Sequence, residues 1–308
     1  MAVRLNVTYI ILGGHVEVQR YRYLYFLIML TAYILIICCN ASIVSLIVIH
    51  KNLHEPMYIF IAALLINSVL FSTNIYPKLL IDFLSEKQII SFHACQFQVF
   101  TFYTLSMSEF LLLAAMSYDR YVSICKPLQY PTIMRKNTVS ILLVLAWVVP
   151  ACHVAVPVTQ NVNMKICHFT SKSIFCNGVT RRIFCDTSGT FSVLSLIVFS
   201  NIGLCPMLFI LFTYTKILIV ACKSSANVRN KATQTCLPHL LVLINYSCLL
   251  TYDVIMIRVE SDFPKTAQLV MTLQIITYHP LFNPVIYGLK MKEITKHLKR
   301  LLCQDKVK

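Results

Sequence analysis

Stretches free of Asp, Glu, Lys and Arg set the rhythm of this chain. Such runs fill 23–49, 57–77, 138–164, 187–215, 232–252 and 266–289, and a seventh stretch, 97–118, carries Glu109 as its only charge. A helix needs about 20 apolar residues to cross a bilayer. With no water at that depth, the backbone must satisfy its own hydrogen bonds as helix. No run alternates as a barrel strand would. The pattern therefore predicts an all-α membrane protein, a bundle of seven transmembrane helices in one domain over 1–308. The spans fall at about 23–49, 57–81, 97–118, 138–159, 190–220, 232–256 and 266–289. Buried helices of a soluble protein are shorter and keep a polar stripe.

The segment "KMKEITKHLKRLLC" has a different period. Met291, Ile294, Leu298, Leu301 and Leu302 share one helical face, and Lys292, Lys296, Lys299 and Arg300 the other. This predicts a short surface helix over 290–302 lying against membrane lipids. Cys303 at its end is a candidate for acylation, and a plain thiol fits equally.

Composition agrees with a membrane protein. Of 308 residues, 57% are hydrophobic and 13% charged, against roughly 25% charged in a soluble domain. The net charge of +15 does not indicate nucleic acid, because the basic residues bracket the apolar runs instead of forming a patch. With the C-terminus inside, 16 of the 27 Lys and Arg fall on the cytosolic side, as the positive-inside rule favours. The N-terminus is then outside. Residues 1–22 show no apolar core for a cleaved signal. Asn6, in an Asn-Val-Thr sequon, is the glycosylation candidate.

Prolines at 77, 150, 206, 238, 280 and 284 sit inside spans and mark expected kinks. Of 13 cysteines, Cys95, Cys167, Cys176 and Cys185 fall on the outer side, where oxidising conditions favour disulfides. Four cysteines allow three pairings, and the residues alone do not choose among them. The rival, a zinc site, lacks a CxxC or a close His pair, so no metal or cofactor is expected.

An ion pair, Asp119–Arg120, follows the third run in "MSYDRYVSICKPLQY". Together with "NPVIY" in the seventh span, it resembles the rhodopsin-like G-protein-coupled receptors. "LHEPMYIF", "MSYDRYVSICKPLQY", "KATQTCLPHL" and "NPVIYGLK", in that order and on the expected loops, narrow the resemblance to odorant receptors. "IYPKLLIDFLS" and "QTCLPHL" look more like the fish members. The resemblance implies a receptor that binds a small-molecule odorant outside and signals to a heterotrimeric G protein, of stimulatory type, inside. It implies no enzyme and no nucleic-acid partner, and places the chain in the plasma membrane of sensory-neuron cilia. A non-olfactory chemosensory receptor is the nearer alternative. A transporter or channel is the farther one, and would call for charged mid-membrane sites and internal repeats.

Residue roles follow from the same resemblance. Asp119, Arg120 and Tyr121, with Tyr214, Asn283, Pro284 and Tyr287, would form the G-protein switch and its hinge. Cys95–Cys176 would tie the second outer loop to span three, leaving Cys167–Cys185 to close a second loop. The ligand would lie among Phe102, Tyr103, Ser106 and Met107 of span three, Val198, Phe199 and Ile202 of span five, and Leu250 and Asp253 of span six. This is mostly apolar, with few polar points. His239 and Tyr246 are packing or hydrogen-bonding groups. Asn40, Asn67, Ser68 and Glu109 are the expected buried polar residues. Relatives pair Glu109 with an Asp placed to hold a cation. Here Ser68 stands at that position, so a neutral Glu109 bonded to Asn67, Ser68 or Asn283 is an equal expectation.

Overall fold

The computed structural model describes residues 9–162, 164–185, 189–224, 236–248, 251 and 264–304. Asn6, Leu250 and Asp253 lie outside the described residues, as does the side chain of Cys303.

Helices follow the apolar runs and outlast them. The first long helix, α1 (Val18–Ile49), begins several residues before the uncharged run. Its leading Arg20 and Arg22 lie over the rings of Tyr21 and Tyr23, so the cations are held at an aromatic rim. Next come α2 (Pro56–Leu84) and α3 (Phe92–Cys125), then a short α4 (Tyr130–Ile133) and α5 (Lys136–Val162). Pro56 opens α2 at a position where its missing N–H costs nothing. Ser91 caps α3, its hydroxyl accepting from the Ala94 N–H. The fifth run becomes α6 (Gly189–Val198), a π-helical turn (Phe199–Leu204) and α7 (Cys205–Cys222). Pro206 therefore stands in the first turn of α7, not mid-helix, and the irregularity precedes it. Then follow α8 (Cys236–Cys248), α9 (Lys265–Lys290) and α10 (Lys292–Gln304). Six of these segments are long and apolar enough to cross a membrane. Large apolar side chains such as Leu27, Val48, Ile49 and Phe212 face outward, as suits lipid contact.

The most buried helix is α3, which packs against α2, α5 and α7. One apolar cluster fills the half of the bundle carrying Tyr214, Tyr287, Met291 and Ile294. A second, with Phe71, Tyr76, Phe83, Phe102 and Phe175, fills the other half. Beyond it lies the disulfide-tied lid, which carries a small sheet that the sequence did not announce. Strands β1 (Tyr9–Leu12), β2 (Ile89–Ser91) and β3 (Thr170–Ser171) form a three-stranded sheet in the order β2-β1-β3. β1 is antiparallel to β2 and parallel to β3. A third cluster of Ile10, Leu12, Ile90, Phe92 and Ile183 lies beneath it, around the buried Cys95 and Cys176. At Gly14 a Cβ would stand 2.6 Å from the Ser173 carbonyl carbon, so only glycine admits so close a backbone. The 290s turn sharply after α9. There Thr295 donates to the Gly288 carbonyl at 2.7 Å, and α10 leans its Leu298 toward the bare Cα of Gly288. Lys296, Lys299 and Arg300 stay exposed while Ile294 is buried.

Candidate functional site

Polar groups meet in the middle of the bundle, where apolar burial alone gives helices little reason to associate. Asn40, Ser68 and Asn283 are fully buried and Glu109 is 1% exposed. A buried carboxylate needs a partner, a proton or an ion. Glu109 Oε1 accepts from Asn283 Nδ2 at 3.0 Å, and the same amide donates to Ser68 Oγ at 3.0 Å. Glu109 Oε2 lies 2.6 Å from His279 Nε2. Of the three expected alternatives, Asn283 is the one that bonds Glu109 directly. Ser68 reaches Glu109 only through Asn283. Asn67 turns elsewhere, donating to the Leu105 carbonyl at 3.0 Å and accepting from Trp147 Nε1 at 3.2 Å, because its amide is needed to join α2, α3 and α5. His279 was missed. The available signal was its place four residues before Asn283, on the same face of α9.

The two prolines of α9 each remove a backbone donor. Pro284 frees the Pro280 carbonyl, and Pro280 frees that of Ile276. Asn40 Nδ2 donates to the Pro280 oxygen at 3.0 Å, and Tyr76 Oη to that of Ile276 at 3.4 Å. The broken ladder of α9 is thus completed from α1 and α2.

Toward the end away from the lid, Arg120 Nε donates to Asp119 Oδ2 at 2.9 Å, with a second, shorter contact from Nη2. Asp119 is fully buried and its Oδ1 accepts from Tyr130 Oη at 2.8 Å. Tyr130 closes the motif block quoted above, yet nothing in its spacing marked it. Burial, and then the Asp119 carboxylate, push its phenol above the usual range. Tyr214 and Tyr287 are both buried. The Tyr287 hydroxyl stands 3.3 Å from His239 Nδ1. Tyr121 is half-buried at the margin of the same cluster.

Toward the lid, Cys95–Cys176 and Cys167–Cys185 are bonded, with Cα–Cα separations of 5.4 and 4.8 Å. Gln98 reinforces the first: its Oε1 accepts from the Cys176 N–H at 2.8 Å, and its Nε2 donates to the Asn74 carbonyl at 2.9 Å. The candidate ligand residues divide. Phe102 contacts Phe71, Tyr103 and the loop residue Phe175, and Tyr103 Oη accepts from the Gly178 N–H at 2.9 Å. Both therefore lie directly beneath the lid. Met107 and Ile202 are buried in the opposite cluster, with Phe199 packed against it. Ser106 offers its carbonyl to Tyr246 Oη at 2.7 Å, and Val198 is half-exposed. Helical phase told which residues turn inward; it did not tell how deep they lie.

Known proteins share both sequence and fold with this chain. The olfactory receptor family matches residues 29–305. Human olfactory receptor 10K1 is 32% identical over 303 residues, spanning 94% of this chain and 93% of its own. Human olfactory receptor 10J5 is 33% identical over 286 residues, 91% of each. Squid rhodopsin superposes with a TM-score of 0.74 at 17% identity, over 93% of this chain and 81% of that one. The polar core, the paired Asp119–Arg120 and the disulfide-tied lid therefore sit on a known seven-helix framework, and the chain belongs to the olfactory receptor family.

Proposed function

We propose that the chain is an odorant-binding G-protein-coupled receptor. A small molecule binds beneath the lid, and the end carrying Arg120 passes the signal to a heterotrimeric G protein. The observation that carries this is family membership across nearly the whole chain, joined to a bundle whose two ends differ in chemistry. The lid end is bonded by disulfides and suits an oxidising exterior. The other end holds an ion pair beside an amphipathic basic helix, which suits a cytosolic membrane face. On this orientation Asn6 is outside and α10 inside, in the plasma membrane of a sensory cell. The stimulatory G-protein type rests on resemblance, and the fish-like cast on "IYPKLLIDFLS" and "QTCLPHL" alone.

The mechanism is a population shift. At rest Arg120 is held by Asp119, itself held by Tyr130. A ligand that contacts Phe102 and Tyr103 more favourably in a second arrangement shifts the bundle toward it, by as much as its affinity differs between the two. Coupling of about 1–3 kcal/mol is typical. Asn283 and Pro284 supply the hinge in α9. Released Arg120, with Tyr214 and Tyr287 beside it, then forms the G-protein contact. The receptor reading is tested by screening odorant mixtures on cells that express the chain with a stimulatory G protein. A cAMP response in these cells, missing from mock-transfected ones, supports it. Ion current or solute flux in vesicles lacking G protein would overturn it in favour of a transporter.

A further inference from the structure

We infer that His279 is the resident counter-charge of Glu109, so that this receptor needs no mobile cation at its core. The inference rests on the receptor role proposed above. Glu109 is buried in α3, and both of its oxygens are engaged: Oε1 by Asn283, Oε2 by His279 at 2.6 Å. The imidazole is equally buried, lying 4.6 Å ring to ring from Tyr246 and edge-on to Phe71 at 6.1 Å. A carboxylate and an imidazole that share one proton carry no net charge, whichever atom holds it. The second carboxylate that would call for an added cation is replaced by the Ser68 hydroxyl, which accepts from Asn283 and donates to the Leu64 carbonyl and so carries no charge. Among the described residues the other ion pairs, Lys78–Asp82 and Asp119–Arg120, involve residues far along α2 and α3 from Glu109. His279 therefore supplies from within the chain the partner to Glu109 that solution would otherwise provide as a cation. It also ties α9 to α3, while α9 packs mainly on α1 and α2.

His279 acts as a positioning residue: it sets the charge and placement of Glu109 and through Asn283 the hinge. Removing it leaves a buried carboxylate that must recruit an ion or a proton. The test measures apparent melting temperature of purified receptor in nanodiscs, in sodium chloride and in choline chloride at equal ionic strength. Wild type is expected to melt at the same temperature in both. His279→Ala is expected to melt several degrees lower in choline and to recover in sodium, a dependence that mere loss of packing would not create. Glu109→Gln/His279→Ala is expected to lose that sodium dependence. Sodium stabilisation of wild type equal to that of His279→Ala, or none in His279→Ala, would overturn the inference. These melts need no ligand or G protein, so they are read separately from any failure of the odorant screen. In the cell assay, His279→Ala is expected to gain sodium-dependent basal signalling where wild type shows none.

Discussion

Asn40 Nδ2 donates to the carbonyl oxygen of Pro280 at 3.0 Å, across the interface of α1 and α9. That carbonyl is free only because Pro284, four residues on, has no N–H to give it. A helix broken by its own sequence is thus mended by another helix, and the mend is specific to one side chain.

Asn40→Leu keeps the volume and removes the donor. Stranding a buried acceptor costs about 1–3 kcal/mol, with membrane interiors toward the lower end. The apparent melting temperature of purified receptor is expected to drop more for Asn40→Leu than for Tyr76→Phe. The Tyr76 bond to Ile276 is longer, at 3.4 Å, and its hydroxyl also faces Thr277. Equal or reversed losses would contradict the role given to Asn40.

Tyr130→Phe removes the hydroxyl that holds Asp119 Oδ1 at 2.8 Å. Hydrogen bonds to charged groups contribute about 1.5–3 kcal/mol, and about 1.4 kcal/mol is a tenfold shift in population. Basal cAMP, normalised to surface receptor, is expected to rise several-fold, and further in Asp119→Asn. Basal levels unchanged in both variants would remove Tyr130 from the switch.

The lid has a pH-sensitive contact in His15, which is half-buried, edge-on to Phe83 and 3.2 Å from the Leu12 carbonyl. Burial lowers its pKa below the ordinary 6.5; the Leu12 bond opposes this and Lys78 adds to it. The closed lid therefore holds His15 neutral. As pH falls through about 6.5 the opened lid takes up a proton that the closed one refuses. Closure is complete at higher pH and weakens as pH drops toward the depressed value. Hydrogen exchange at the amides of Ile11 and Leu12, corrected for intrinsic rate, is expected to quicken from pH of about 7.5 to about 5.5, and to lose that dependence in His15→Gln. A wild-type profile as flat as the variant's would count against it.

The disulfides differ in the loops they close. Cys95–Cys176 spans 81 residues and Cys167–Cys185 spans 18. In the chain-entropy account these are worth about 4.5 and about 3 kcal/mol. Surface expression is expected to fall further for Cys95→Ala than for Cys167→Ala, and flow cytometry of a tagged receptor reads the difference. Equal expression would mean that the lid is held by its sheet and by Gln98.

The bundle was legible because a bilayer punishes any charge within a span, so length without charge locates each helix. Helix ends were less so: α1 begins among Arg20 and Arg22, since a helix needs no apolar residue once past the lipid. The lid sheet left a weak local trace, four apolar residues before Gly13-Gly14. Its partners, 89–91 and 170–171, are distant in sequence, and pairing of that kind has no local signature. Glu109 announced itself, whereas His279 did not, because a histidine among aromatics reads as packing until a carboxylate faces it. Tyr130 was hidden in the same way, its role set by where the loop after α3 folds back. Met107 and Ile202 were placed with Phe102 by helical phase, and depth along the axis separated them.

Nucleotide exchange on purified stimulatory G protein, by receptor reconstituted in nanodiscs, tests the central claim most directly. An odorant selected in the cell screen should accelerate exchange by wild type and leave Arg120→Ala at its basal rate, with both proteins folded by melting temperature. Acceleration of equal size in Arg120→Ala, or none in wild type, would contradict transmission from the lid to the Asp119–Arg120 pair.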